Sequence, residues 1–215
     1  MNEIEISLFP IPGSVSLPFS KTSLHVFEPR YRKMIKDSIE AHRRIGVAHT
    51  QKVIAEAKTP PGASLKEVLN SNQKTYSAHP IFSAGFAEIK ETLPDGRMMV
   101  EITMDSRYQI LQEIQQIPYK VVLCEPFNDE NETGDAVLRN ELDQALLNIV
   151  DETTQELKTL LNSREWADQS FLEYSFKIYS LVGCDPDILQ KVLEMKSSTA
   201  RVQFLKDVLT RDRLH

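Results

Sequence analysis

The chain has 215 residues, 41% hydrophobic and 26% charged, a balance that excludes a disordered chain and allows a core of real size. Its 25 Lys and Arg against 31 Asp and Glu leave a formal charge of −6, which disfavours a nucleic-acid partner unless a local basic patch exists. Cys124 and Cys184 lie far apart without C-x-x-C spacing, the acidic opening MNEIEISLF is no signal sequence, and no apolar run approaches the roughly 20 residues that span a bilayer. Those absences predict a cytoplasmic protein with reduced thiols and no membrane partner.

IEISLF alternates and reads as the first strand, stopped by Pro10, Pro12 and Gly13. SLHVF is the second. Glu28-Pro29 then cuts the β pattern, because proline lacks an N–H, has a fixed φ and suits a first helical turn. Tyr31, Met34, Ile35 and Ile39 recur behind it at three- and four-residue steps, while Arg30, Arg32, Lys33 and Lys36 fill the other face. That spacing predicts an amphipathic helix from Pro29 to about Arg43, packed on a sheet. RIGVAHT is a short strand. From Lys52 to Pro80 the pattern weakens into a long loop around KTPPGAS, with SLKEVLN as a short helical turn from Ser64.

PIFSAGFAEIKE and RMMVEITMDS are strands joined by LPDGR, whose Asp95-Gly96 is a strong hairpin signal. SRYQILQEI and PYKVVLCEPF add two more. With about six strands and one inserted helix, the first half reads as a small barrel-like or two-sheet β domain. NDENETGD, residues 128 to 135, is polar and acidic and marks the boundary. Beyond it the period is helical. Leu142, Leu146, Ile149, Thr153, Leu157 and Leu160 predict one long helix over Ala136 to Asn162. FLEYSFKIYSLVG is a second helix broken by Gly183, Asp185-Pro186 opens a third over DPDILQKVLEM, and SSTARVQFLKDVLTR is a fourth capped by Ser197 or Ser198.

Catalytic patterns are missing. There is no phosphate-cradling G-x-x-x-x-G-K-[ST] loop and no G-x-S-x-G elbow. His25, His42, His49, His79 and His215 show no H-x-x-x-H pairing, so no metal ligand set emerges, and no cofactor is implied. Glu40 and the Asp151-Glu152 pair fall on helices, where a solvated face accounts for them. No residue is assigned a catalytic role.

The stretch SLFPIPGSVSLPFSKTSLHVFEPRYRKMI resembles the opening of the Lon protease amino-terminal domain, with its strand, FPG-type loop and F-E-x-R-Y signature. AGFAEIKETLPDGRMMVEITMDSRYQI is similar to that family's hairpin followed by an R-F or R-Y strand. LQKVLEMKSSTARVQFLKDVL is similar to its last two helices, with Leu189, Leu193, Glu194, Arg201 and Leu205 in matching places. The three blocks arrive in the family's order and cover nearly the whole chain, Lys52 to Pro80 matching least. Two places depart from the pattern. Pro18-Phe19-Ser20-Lys21 stands where the family usually has Pro-Gly, and Met104-Asp105-Ser106 where it commonly has a glycine before its R-F pair.

The resemblance implies an α+β fold: a PUA-like small β-barrel domain with an inserted helix over residues 1–127, then an all-α helical bundle over residues 128–215. It implies a Lon amino-terminal-like module lacking the ATPase and Ser–Lys protease modules. Its partner would be an unfolded or partner polypeptide, in connection with a protease system. Glu28 sits where a helix N-terminus favours a carboxylate, and Arg107 is its candidate partner. The pair is read as holding the fold, since a charge excluded from water needs a counterpart. Arg30, Tyr31, Phe82 and Tyr108 form the candidate interaction surface, although Tyr31 and Tyr108 read more readily as core or rim than as recognition residues.

Two functions compete. A non-catalytic binding module would accept an extended polypeptide in an apolar groove or at a sheet edge, with the Lys52–Pro80 loop and the interdomain cleft as the places to look. An RNA-binding module would require a clustered basic face with stacking aromatics. The only dense cationic stretches are Arg30 to Lys36 and His42-Arg43-Arg44. A small hydrolase has no motif behind it.

Overall fold

Strand-forming residues dominate one part of the chain and helix-forming residues the other, and the chain divides accordingly into Met1–Asn128 and Asp129–His215. The computed structural model describes residues 3–55, 75–130, 133–149 and 155–211. In the first unit the strands are β1 (Ile4–Pro10), β2 (Lys21–Val26), β3 (Ile45–Ala48), β4 (Thr50–Ala55), β5 (Thr75–Ala78), β6 (Ile81–Thr92), β7 (Met98–Gln115) and β8 (Lys120–Pro126), with helix α1 at Pro29–Glu40. Six of them form one mixed sheet in the order β2-β7-β6-β3-β1-β8; β7 also pairs with β8, so the sheet nearly closes into a ring. β1 and β3 run parallel, Ser7 opposite Ile45, and β2 with α1 provides the crossover that parallel neighbours require.

β7 corrects the sequence reading. RMMVEITMDS and SRYQILQEI are not two strands but one of 18 residues. Its first part pairs with β2 and its last part with β8, while β6 runs beside it as far as Gln109. The ladder to β6 shifts register between Ala84 and Gly85, opposite Ser106 and Met104, which leaves Asp105 as the extra residue. A bulge lets a strand bend without ending. Gly85 permits the close approach there, because a Cβ would lie 1.7 Å from the Thr103 carbonyl oxygen.

α1 starts at Pro29 with Glu28 as its N-cap residue, as the sequence predicts. It stops earlier than Arg43. His42 takes φ +48°, its N–H bonding the Ile39 carbonyl while Arg43 N–H reaches the Ser38 carbonyl. This is a Schellman stop with histidine in the left-handed position usually held by glycine. Ile39 is 42% exposed, and Ser38 takes the inward place, donating to Ser7 Oγ at 2.8 Å. The Asp95-Gly96 hairpin forms as expected, Gly96 at φ +84°. Both ends of the supposed Lys52–Pro80 loop are strand, the antiparallel pair β4–β5. Residues 56–74, including the helical turn expected from Ser64, lie outside the described residues.

Two apolar clusters lie among the described residues of the first unit. One joins Tyr31, Met34 and Ile35 of α1 to Ile45, Val47, Met98, Val100 and Ile102. The other gathers Ile6, Leu8, Phe82, Ala84, Tyr108, Val122 and Cys124.

The described helices of the second unit are α2 (Ala136–Ile149), α3 (Gln155–Leu161), α4 (Arg164–Ala167), α5 (Phe171–Lys177) with a 3₁₀ turn at Ile178–Leu181, α6 (Pro186–Glu194) and α7 (Ser198–Arg211). Serines open three of them: Ser163 accepts from Trp166 N–H, Ser170 from Glu173 N–H and Ser197 from Ala200 N–H. Residues 150–154, inside the long helix expected over Ala136–Asn162, lie outside the described residues. Leu142, Leu146, Trp166, Tyr174, Phe176, Val202 and Leu205 form the buried interior. Among the described residues no helix is long and apolar enough to cross a membrane.

Candidate functional site

The junction of β2 with α1 brings charge and aromatic surface together. Glu28 is only 8% exposed, and its Oε2 accepts from Arg30 Nε at 2.9 Å. The Arg30 guanidinium also lies 4.6 Å from the Tyr31 ring centroid, and Tyr31 stacks on Phe9 at 4.0 Å. Arg107 is 4% exposed on β7, its guanidinium 4.9 Å from the Phe127 ring. Both charged residues are therefore withdrawn from water, a placement in which any loss of counter-charge is costly.

The expected interaction surface needs correction. Phe82 has no exposed surface, and Tyr31 and Tyr108 are 6% and 5% exposed. Phe82 faces Gly46, where a Cβ would sit 2.1 Å from its ring, so the missing side chain is the space the ring fills. These three aromatics build cores instead of presenting a face. Arg30 is half-buried and engaged with Glu28.

The dense cationic stretches are largely neutralised. Of the six Lys and Arg in residues 30–36 and 43–44, four meet carboxylates: Arg30 with Glu28, Lys33 with Asp37, Arg43 with Glu5 and Arg44 with Asp105. Arg32 donates to the Asp95 carbonyl at 3.0 Å. Sequence reasoning missed the cluster around Arg44, whose guanidinium lies 4.5 Å from the Phe86 ring centroid while His42 stacks on the same ring at 4.5 Å. Only the folded sheet brings Phe86 and Asp105 to Arg44.

Arg201 organises the helical unit. Its side chain is fully buried, and it donates to Ser175 Oγ at 3.0 and 2.9 Å and to the Met195 carbonyl at 2.8 Å. It also pairs with Asp129 and lies 3.9 Å from the Phe176 ring centroid. Asp129 belongs to the stretch read from sequence as a polar boundary, yet it anchors this charge. A sequence signal existed: Arg201 stands four residues before Leu205, on the apolar stripe of its helix. An open groove of about 780 Å³ runs between the starts of α2 and α7, lined by Asp135, Val137, Glu141, Ser197, Ala200 and Gln203. Asp135 is occupied as a cap for Leu138 N–H, and Glu141 pairs with Lys206.

Neither thiol is activated. Burial pushes Cys124 up to about 12 and raises Cys184, so neither supplies thiolate at neutral pH. His49 and His79 stack at 5.3 Å, but no group of three or more metal-ligating side chains gathers among the described residues.

Residues 5–211 match the family model described as the ATP-dependent protease La (LON) substrate-binding domain. The chain belongs to the Lon substrate-binding domain family. That domain occupies nearly all of these 215 residues, leaving no room among them for an ATPase or protease domain. The fold agrees with two solved structures. A Lon N-terminal domain protein from Xanthomonas campestris superposes with a TM-score of 0.60 at 18% identity, covering 94% of this chain and 97% of its own. The N-terminal domain of Mycobacterium avium complex Lon protease gives 0.65 at 11% identity, covering 96% and 98%. No curated protein matches the chain.

Proposed function

We propose that this Lon-type domain is a non-catalytic, cytoplasmic binding module for unfolded or partner polypeptide, its β unit being a PUA-like barrel and its partner working with a protease system. The match of residues 5–211 to a substrate-binding domain carries the reading. Charge pairing supports it: with four of six clustered cations held by carboxylates, little basic surface is left there to attract phosphates. Glu28 and Arg107 serve the fold in this reading, and recognition falls to side chains that remain exposed.

The test is a pair of titrations of the purified chain, one with labelled reduced casein and one with a labelled single-stranded RNA. Saturable casein binding with no RNA binding, and with neither casein cleavage nor ATP hydrolysis, is expected. RNA binding that weakens steeply with salt, with casein left unbound, would replace this reading with the RNA-binding one.

A further inference from the structure

We propose that residues 111–117, at the far end of β7 and in the turn to β8, are the contact surface for an extended apolar segment of a non-native polypeptide; this rests on the polypeptide-binding reading above. Leu111 and Ile114 are each 44% exposed and Ile117 is 85% exposed, three large apolar side chains within seven residues. Their exposure follows from the ladder. The β7–β8 register shifts between Ile110 and Gln112 and again between Glu113 and Gln115, so Leu111 and Ile114 are the two extra residues. Bulges re-aim side chains out of the alternation that would otherwise bury them.

The platform beneath is firm. Gln115 Nε2 donates to the Tyr119 carbonyl at 2.9 Å, Lys120 pairs with Glu113 at 2.8 Å, and the buried Tyr119 ties its hydroxyl to Asp37 at 2.7 Å. A backbone braced this way keeps the three apolar residues in place, so less freedom is lost on binding. The nature of the occupant follows from area and charge. Three residues so exposed present on the order of 300–400 Å² of surface, the scale of a functional patch on a monomer. A stable dimer needs about 800 Å² from each partner, so a second copy fits poorly. Within the segment Glu113 is already paired, and its other polar residues, Gln112, Gln115 and Gln116, are uncharged, so it offers little to a charged partner.

The β6 ladder ends at Gln109, so among the described residues β7 has no strand partner on that side beyond the Ile110-to-Pro80 bond. Bulges disfavour a regular added strand there. Contact through side chains alone is tolerant of sequence, which suits a binder of many unfolded chains.

The experiment titrates the full chain with fluorescently labelled, reduced and carboxymethylated lactalbumin, a chain that cannot refold. The variant L111S/I114S/I117S is expected to weaken binding by about tenfold or more. L111M/I114M/I117M should bind like the parent, as should V137S/L172S, which removes exposed apolar groups from the helical unit. Should the serine variant melt early, I117D alone replaces it: an unchanged melt with several-fold weaker binding supports the surface. Undiminished binding in the serine variant or in I117D would overturn this surface while leaving the polypeptide-binding reading intact. No binding by the parent would overturn both. A dimer in light scattering that the serine variant disperses would make a second copy the occupant and overturn the proposal.

Discussion

Tyr119 donates to Asp37 at 2.7 Å in the β unit, and Tyr174 donates to Asp143 at 2.9 Å in the helical unit. The same hydrogen bond pulls both carboxyls down, yet their net shifts are opposite. Asp37 is held below its ordinary value chiefly by the Tyr119 hydroxyl, which outweighs the opposing effect of burial and is helped by Lys33 and Arg43. Asp143 is raised, because desolvation beside Tyr174 and Trp166 outweighs both of their hydrogen bonds and the charge of Arg139. A donated bond favours the charged form and desolvation disfavours it, and the larger of the two sets the sign. The deepest buried charge of the helical unit is Arg201, which has no exposed surface.

The largest effect that sharpens this contrast is expected at Arg201. Arg201→Leu removes the buried cation that Asp129 pairs with and leaves space beside Phe176, so the helical unit should lose about 3–5 kcal/mol. Trp166 is the single tryptophan of the chain and lies in that unit, so its fluorescence during denaturant unfolding reads the loss directly. An unchanged midpoint would break the picture of Arg201 as the organiser.

A comparable but divided effect is expected at the β2–α1 junction. Glu28→Ala and Arg107→Ala should each lower the β-unit midpoint, seen by far-UV circular dichroism, by up to about 3–5 kcal/mol for a shared buried pair. The double variant should lose less than the sum, since both residues then act through one interaction. Strict additivity would show that the two do not share an interaction. Unchanged melts with lost casein binding would move both residues to the functional surface.

The smallest effect is in pH dependence. A depressed folded value means that the Asp37 contribution is present above about pH 4 and is lost as pH falls through its lowered folded value. A raised folded value means the reverse: the Asp143 contribution is full below about pH 4 and is lost as pH rises through its raised folded value. Asp37→Asn should therefore flatten the acid limb of the β-unit stability curve, and Asp143→Asn the limb above it in the helical unit. If both substitutions flatten the same limb, the opposed settings of the two carboxyls are wrong.

The sequence by itself determined what a few neighbouring residues can settle. Pro29 suits a first helical turn whatever packs on it, because its ring sets φ and it has no N–H to leave unbonded. Gly96 closes a hairpin because the turn needs positive φ, and Ser170 caps a helix with a bond only three residues long. Family resemblance extended this to the order of the parts, since F-E-P-R-Y, the long hairpin and the last helices are contiguous patterns. The tertiary structure alone decided the rest. β7 runs on through Asp105 because β2, β6 and β8 each hold a part of it. Phe82 became core because Gly46 leaves it room, and Arg201 became an anchor because Asp129, 72 residues away, returns to it. Leu111 and Ile114 face outward because a ladder with β8 has one residue too many at each. Burial and register are set by segments distant in the chain, and no local period can encode which partner will arrive.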